Sequence, residues 1–206
     1  MTIHIIGVGA LGSNLAHMLV RLGFENLILY DFDDIVPHNL TNQIYKNSQV
    51  GLPKVHALKQ NLLDINPNLA NTIIVEEQGY HEQHLTGAVF LCLDSIELRH
   101  KITKQNRLNR SIEYFCDMRI GLEEGQMYAI TPSIKNFDQI LASMEFKDSE
   151  IRVPRNACGS TLNLLPTIQM IVSLGVTNFI KFLKSEEFKY FIIIDAVEAQ
   201  AQSYKF

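Results

Sequence analysis

Short β-rich runs alternate with stretches of helical spacing along the first two thirds of the chain. The run at residues 3–6 ends at Gly7, and apolar residues then recur on one face of a helix until Gly23. Strands that alternate with helices favour right-handed crossovers, so the pattern predicts an α/β fold: a Rossmann-like, doubly wound and mainly parallel sheet with helices on both faces. The pattern predicts strands at residues 3–6, 26–31, 72–75, 88–93, 111–117 and 126–130, and helices at about 11–22, 53–65 and 95–109.

The regular alternation of strands and helices ends after residue 131. No repeat or linker interrupts the chain, so we expect a single domain over residues 1–206, with a core of about 1–130 and a crossover loop and C-terminal helix-strand extension over about 131–206. The extension is predicted to contain a short helix at 137–144, a polar loop at 147–159, an apolar helix at 166–183 and a late strand at 190–195, at an edge of the sheet.

Composition narrows the class of protein. The 206 residues are 47% hydrophobic and 19% charged, which supplies a core and argues against intrinsic disorder. The net charge is −4 and no Lys/Arg run occurs, so nucleic acid is an unfavoured partner. Apolar runs such as residues 191–195 are short and no signal peptide is recognised, so we expect a cytoplasmic protein without a membrane partner. Cys92, Cys116 and Cys158 form neither a disulfide framework nor a zinc pair.

Gly7, Gly9 and Gly12 form a G-x-G-x-x-G motif between the first predicted strand and the first predicted helix. The first glycine permits a tight turn, the second lets a phosphate approach the backbone, and the third lets the helix pack closely on the strand. Asp31 lies nineteen residues after Gly12, at the end of the second strand, where a carboxylate can accept hydrogen bonds from a ribose. By itself the motif favours a nicotinamide dinucleotide.

Four polar residues downstream of the motif favour a nucleoside triphosphate instead. Lys54, at a predicted helix start, can neutralise phosphate, and the amides of Asn39 and Gln43 can hydrogen-bond phosphate or ribose oxygens. Asp94, at the end of the fourth strand, can hold Mg²⁺ through its carboxylate. Each also has a purely structural interpretation: the amides satisfy the loop backbone, Lys54 is solvated, and Asp94 caps the next helix.

These residues together resemble a known family. The series G-x-G-x-L-G-S, D-x-D-x-V, N-L-x-x-Q and G-x-x-K-x-x-A, followed by Asp94, is similar to the ThiF/MoeB/ubiquitin-activating enzyme (E1-like) superfamily. Members bind MgATP and adenylate a carboxylate, commonly that of the C-terminal glycine of a ubiquitin-like or sulfur-carrier protein. The resemblance implies an ATP-dependent adenylyltransferase that uses ATP and Mg²⁺, needs no zinc, acts on such a protein or a peptide, and forms a homodimer.

The resemblance also implies roles for single residues. Arg119 and Cys158 join Asp94 as catalytic candidates. Arg119 follows the fifth predicted strand, and its alternative role is an ion pair at the strand end. Cys158 lies where some sulfur-carrier-activating members have a nucleophilic cysteine, and its alternative role is simple packing. The nucleotide-binding residues that the resemblance implies are Gly7, Gly9 and Gly12 at the nucleotide, Asp31 at the ribose, Asp33 near the reacting groups, Asn39, Gln43 and Lys54 at ribose or phosphates, and Asp94 on Mg²⁺.

One position departs from the family pattern, because Asn42 stands where members usually have an arginine. Loss of one donor to a transition state typically costs about 2.7–4 kcal/mol. Either another cation substitutes, or the chain is a catalytically weak or inactive nucleotide-binding module. An NAD-dependent oxidoreductase is also compatible with the motifs, as is the ATP-driven activation of a small carboxylate or a modified tRNA base. The candidate substitute cations are Arg99, Arg119, Arg152 and Arg155.

Overall fold

A computed structural model describes residues 1–145 and 165–204 of the chain. Within these two ranges the chain forms one eight-stranded sheet and five α-helices. The strands are β1 (Ile3–Ile6), β2 (Leu27–Tyr30), β3 (Ile73–Glu76), β4 (Gly87–Leu91), β5 (Ile112–Ile120), β6 (Glu124–Ile130), β7 (Phe191–Asp195) and β8 (Gln200–Tyr204). The helices are α1 (Ala10–Arg21), α2 (Lys54–Leu63), α3 (Ile96–Gln105), α4 (Ile134–Ala142) and α5 (Leu165–Leu183).

The sheet has a parallel half and an antiparallel half, in the order β3-β2-β1-β4-β5-β6-β7-β8. Strands β1 to β5 pair in parallel, and β5 to β8 pair as antiparallel neighbours. The doubly wound α/β prediction is confirmed. The chain leaves β1 towards β2 on one side and reaches β4 on the other, so the carboxyl end of β1 is the switch point at which such sheets bind ligands.

The prediction that the late strand lies at the edge of the sheet is wrong. Strand β7 is covered by β8, which was not predicted. All five residues of β8, Gln200–Tyr204, are exposed, so they carry no alternation of buried and exposed positions that a sequence pattern can register.

Helices cover both faces of the sheet, as predicted. Helices α1, α2 and α5 contribute to one hydrophobic cluster, and α3 and α4 contribute to the other. The central strands are buried on both sides: β4 is buried at every position. This explains why the sequence of β4 is a continuous apolar run instead of an alternating one.

The expectation that the apolar segments of this chain are too short to span a membrane needs a correction at helix α5. It has 19 residues and a mean hydropathy of 1.2 over its best 18-residue window, so by length and composition alone it could cross a membrane. The helix of a protein core passes the same test, and α5 packs Ile168, Ile171 and Val172 into the sheet. At Gly175 a Cβ would lie 3.0 Å from the Met118 side chain, which shows how closely the helix approaches β5.

The segment between β2 and α2 folds back beside its own start. It contains two short 3-10 turns, Pro37–Thr41 and Asn47–Gln49. The Ile35 amide donates to the Leu52 carbonyl at 2.9 Å, and an isolated bridge joins Asp34 to Pro53. The start of α2 is thereby held against the end of β2.

Candidate active site

The turn between β1 and α1 requires two of its three glycines for packing. Gly7 has φ +88°, and a Cβ there would lie 2.9 Å from the Cys92 carbonyl oxygen. A Cβ at Gly12 would lie 1.9 Å from the Gly7 carbonyl oxygen, so no side chain fits. The turn is therefore held between α1 and the end of β4.

Gly9 is different, because the fold does not need its lack of a side chain. Among the described residues other than its chain neighbours, a Cβ at Gly9 would have one atom within 4 Å, the Gln43 Nε2, at 4.0 Å. Gly9 precedes α1, whose first turn carries no acidic residue and no side-chain cap. Free amides at a helix start attract anions, so the space beside Gly9 fits a phosphate group.

Asp31 faces this turn from the end of β2. Its Oδ2 accepts a hydrogen bond from the Val8 amide at 2.7 Å, and its Oδ1 accepts one from the Asp33 amide at 3.0 Å. Burial raises the pKa of the Asp31 carboxyl, against the opposing effects of the Lys54 charge and the two amide bonds. A carboxylate has about four acceptor sites. The anchored Asp31 therefore keeps acceptors for ribose hydroxyls.

Lys54 lies inside the site and is not a solvated helix residue. It is the first residue of α2, its side chain is 8% exposed, and its Nζ donates to Asp33 Oδ2 at 2.6 Å. The Lys54 amide also donates to the Asp33 carbonyl at 3.0 Å. The Asp33 side chain is 51% exposed. The structure therefore brings Asp31, Asp33 and Lys54 together at the glycine turn.

The two predicted amides have different environments. Asn39 is buried, and its Oδ1 accepts a hydrogen bond from the Val36 amide at 2.9 Å, so it satisfies the loop backbone. Gln43 Oε1 is buried and has no hydrogen-bond partner among the described residues. An unsatisfied buried acceptor requires an explanation. The Gln43 atom near Gly9 is Nε2, which can donate a hydrogen bond to a phosphate oxygen in that space.

Three residues to which the sequence analysis assigned no role hold this loop to the glycine turn and to α1. Tyr45 donates its hydroxyl to the Val8 carbonyl at 2.7 Å, and burial raises its pKa, so it stays a donor. Ser13 Oγ accepts a hydrogen bond from the Ile44 amide at 3.2 Å, and Asn14 Nδ2 donates to the Asn42 carbonyl at 3.0 Å. Ser13 and Asn14 directly follow the third glycine, so their position in the sequence could have identified them as site residues. Nothing in the sequence around Tyr45 distinguishes it from an ordinary core residue.

Asp94 is exposed and lies in the loop between β4, which ends at Leu91, and α3. Its helix-cap interpretation is wrong, because Ser95 is the N-cap of α3 and its Oγ accepts a hydrogen bond from the Leu98 amide at 3.2 Å. The Cys92 carbonyl, two residues earlier, is the group that packs against Gly7. Asp94 therefore follows the point of contact between β4 and the glycine turn.

Arg99 and Arg119 share the buried carboxylate of Asp117. Arg119 Nε donates to Asp117 Oδ2 at 2.7 Å, its Nη1 donates to the Ser143 carbonyl at 3.0 Å, and its guanidinium lies 4.9 Å from the centre of the Tyr128 ring. Arg99 is 2% exposed and contacts Asp117 through Nη1. In this arrangement both cations are held by protein groups. A catalytic role for Arg119 stays a prediction.

The cysteines divide into two groups. Cys92 and Cys116 are buried, and burial raises the pKa of the Cys92 thiol to about 12 and raises that of Cys116 as well. Neither thiol is therefore a ready nucleophile. Cys158, like Arg152 and Arg155, lies outside the described residues.

Among residues 1–145 and 165–204, no group of three or more His, Cys, Asp and Glu side chains could hold a metal ion. A zinc site of four protein ligands needs such a group. Mg²⁺ does not, because it usually binds through one or two carboxylates, phosphate oxygens and water. The single exposed Asp94 carboxylate fits that second pattern.

Comparison with known proteins places this geometry in a family. Ubiquitin-like modifier-activating enzyme 5 of Caenorhabditis elegans is 40% identical over 68 residues, which are 33% of this chain and 16% of that protein. The Mus musculus enzyme of the same name is 33% identical over 124 residues, which are 52% of this chain and 31% of that protein. The match therefore spans less than a third of the length of these curated relatives.

Solved structures share the whole fold at low sequence identity. The crystal structure of Escherichia coli MccB with ATP has a TM-score of 0.75 and 17% identity, and the match covers 99% of this chain and 63% of that one. PaaA has a TM-score of 0.74 and 16% identity, with coverage of 99% and 63%. Residues 1–206 match the ThiF family, and the chain belongs to that family.

Proposed function

We propose that the chain is an ATP-dependent adenylyltransferase that activates the C-terminal carboxylate of a ubiquitin-like or sulfur-carrier protein, or of a peptide. The observation that carries the proposal is the Lys54 ammonium, buried beside Asp31 and Asp33 at the glycine turn that begins α1. A dinucleotide site has no evident need for this lysine. The relatives support the substrate class, since their names specify ubiquitin-like modifier activation, and one MccB structure holds ATP while others hold MccA.

Some residues of the site bind the nucleotide, and Lys54 neutralises part of the charge on its phosphates. Asp31 binds the ribose, and the first amides of α1 beside Gly9 bind phosphate oxygens. Lys54 moves from Asp33 to the phosphates and neutralises part of their charge. The substrate carboxylate then attacks the α-phosphorus, a carboxylate oxygen–phosphorus bond forms, and pyrophosphate leaves with the electrons of the broken bond. The protein contributes position and electrostatics and forms no covalent bond in this step.

Asp94 is the residue that would hold Mg²⁺ through its exposed carboxylate, and Gln43 and Asn39 complete the wall beside the phosphates. When bound, the metal ion supplies positive charge next to the phosphate oxygens.

We further propose that the chain acts as a homodimer, that its protein partner ends in glycine, and that Cys158 and Arg119 are candidates for later or supporting steps.

Pyrophosphate exchange into ATP tests this function. The purified chain is incubated with ATP, Mg²⁺, labelled pyrophosphate and a series of peptides and small proteins that end in glycine. We expect exchange that depends on the carboxylate and is lost in Lys54→Ala. The matched control is Lys46→Ala, which removes a lysine from an exposed pair with Asp64 and should keep the wild-type rate.

Two further outcomes would point to a different function. ATP binding without exchange for every carboxylate tried would favour a nucleotide-binding module, the possibility that Asn42 in place of the family arginine raises. NAD(H) binding that ATP does not displace, with little effect of Lys54→Ala, would overturn the proposal in favour of an oxidoreductase.

A further inference from the structure

The Arg99 side chain turns back from the first turns of α3 to the strand that precedes it. Its Nη1 donates to the Leu91 carbonyl at 3.3 Å and also contacts Asp117 Oδ1, while its Nη2 donates to the Leu93 carbonyl. The Arg99 and Asp117 side chains are 3% and 0% exposed. One guanidinium therefore binds the end of β4, the chain just beyond it, and the neighbouring strand β5.

These contacts close the Asp94 loop into a ring. The ring begins at the Leu93 carbonyl, passes through Asp94 and the Ser95 cap, and returns through the Arg99 side chain to Leu93. The Arg99 amide also donates to the Ser95 carbonyl at 3.1 Å. Asp94 is exposed within a loop whose two ends are both fixed.

We propose that Arg99, anchored by Asp117, is a positioning residue that holds the Asp94 carboxylate in place at the nucleotide edge. The proposal rests on the proposed function, because it assigns Asp94 its metal-binding role. The Arg99 guanidinium is bound to two carbonyls and to Asp117, so the role that we propose for it passes through the Asp94 loop. Groups that orient a metal-binding carboxylate typically change metal affinity when they are replaced.

The test uses a conservative variant and a matched control. Arg99→Lys keeps the positive charge but loses the planar fork that bonds two carbonyls and a carboxylate at once. Arg107→Lys makes the same change just after α3, in an exposed pair whose Nε and Nη2 contact Asp138 at 2.5 and 2.6 Å. Only the first variant should affect the Asp94 loop.

The first measurement needs no ligand. Hydrogen exchange of the amides of residues 93–98 should become at least about tenfold faster in Arg99→Lys, the effect of losing one hydrogen bond to a charged group. Exchange in β1 and α1 should stay unchanged, and Arg107→Lys should match the wild type throughout. Unchanged exchange in residues 93–98 would overturn the positioning role, whether or not the chain proves to be an adenylyltransferase.

The second measurement is the gain in ATP affinity on adding Mg²⁺, by calorimetric titration. Arg99→Lys should reduce this gain by roughly 10-fold to 100-fold, and it should leave the affinity without Mg²⁺ at its wild-type value. In an Asp94→Asn background the same substitution should have no further effect, since its action passes through Asp94. An equal effect in both backgrounds would show a general loss of structure instead.

Two controls keep the test decisive. Asp117→Asn keeps a hydrogen-bond acceptor for Arg99 and should produce a smaller effect in the same direction. If both Arg99→Lys and Asp117→Asn fail to fold, Arg99 is a purely structural residue and the proposal is wrong. If wild-type protein shows no Mg²⁺-dependent ATP binding, the proposed function fails, while hydrogen exchange still decides whether Arg99 holds the loop.

Discussion

Two cation–carboxylate pairs lie at the carboxyl edge of the same sheet and differ in their contact with water. In the Arg99–Asp117 pair both side chains are almost completely buried. In the Lys54–Asp33 pair the ammonium is buried but half of the Asp33 side chain is exposed. Each pair joins an aspartate to a cation on a helix, Lys54 on α2 and Arg99 on α3, so the difference between the pairs is one of solvation.

Solvation decides which pair can exchange partners. Separating Arg99 from Asp117 would leave a buried charge without compensation, which is costly in a low-dielectric interior. Asp33 can be solvated when Lys54 leaves it, so Lys54 can transfer its hydrogen bond to a phosphate. We therefore expect the first pair to stay in place, stabilising the fold and the Asp94 loop, and the second pair to exchange its partner for the ligand.

The largest effect should come from breaking the buried pair. Asp117→Ala leaves Arg99 and Arg119 without their shared carboxylate and should lower the free energy of unfolding by about 3–5 kcal/mol. Urea denaturation followed by circular dichroism measures the change. A loss of less than about 1 kcal/mol would mean that the two pairs do not differ as their burial suggests.

Breaking the half-exposed Lys54–Asp33 pair should lower ATP affinity and leave the stability of the fold almost unchanged. Lys54→Met keeps the apolar stem and removes the charge, so ATP affinity should fall roughly 10-fold to 100-fold, the effect of one lost hydrogen bond to a charged group. The free energy of unfolding should change by less than about 1 kcal/mol. Calorimetric titration and urea denaturation of the same preparation provide both numbers. If stability fell as far as in Asp117→Ala, the Lys54–Asp33 pair would be structural.

The glycines of the turn also differ in this way: we expect Gly9 to serve ligand binding and Gly12 to serve folding. Gly9→Ala adds a methyl group where the protein leaves space, so the variant should fold, while ATP affinity should fall by roughly tenfold, as for one lost contact to the helix start. Gly12→Ala forces a Cβ to within 1.9 Å of the Gly7 carbonyl and should disrupt folding. ATP titration and thermal melting of both variants check this prediction. Wild-type ATP affinity in a folded Gly9→Ala variant would argue against a phosphate beside Gly9.

Sequence patterns predicted the parallel half of the sheet well because its strands are buried on both faces. Strands β2 and β4 are uninterrupted apolar runs, β1 departs from this pattern only at the buried His4, and glycine or proline marks the nearby turns. The antiparallel half was harder: β5 extends three residues beyond its predicted end, and the polar strand β8 was missed. There, pairing with a neighbouring strand determines the structure, and a neighbour is not visible in local sequence.

The candidate site shows the same division. Gly7, Gly12, Asp31 and Lys54 were found because a short motif places each of them, and the structure brings Asp31 and Lys54 to one turn. Tyr45 reaches Val8 from 37 positions away. Its contact follows from the tertiary fold, and local spacing contains no trace of it.

The smallest effect should come from a pair with good geometry and no burial. Arg107 and Asp138 form two parallel hydrogen bonds at 2.5 and 2.6 Å, but both side chains remain in contact with water. The Arg107–Asp138 pair raises the pKa of the arginine and lowers that of the carboxyl, yet an exposed charge loses little when its partner is replaced by solvent. Arg107→Ala should therefore leave the urea midpoint and the ATP affinity at their wild-type values. A midpoint shift as large as that of Asp117→Ala would show that bidentate geometry, and not burial, decides how much such a pair stabilises the fold.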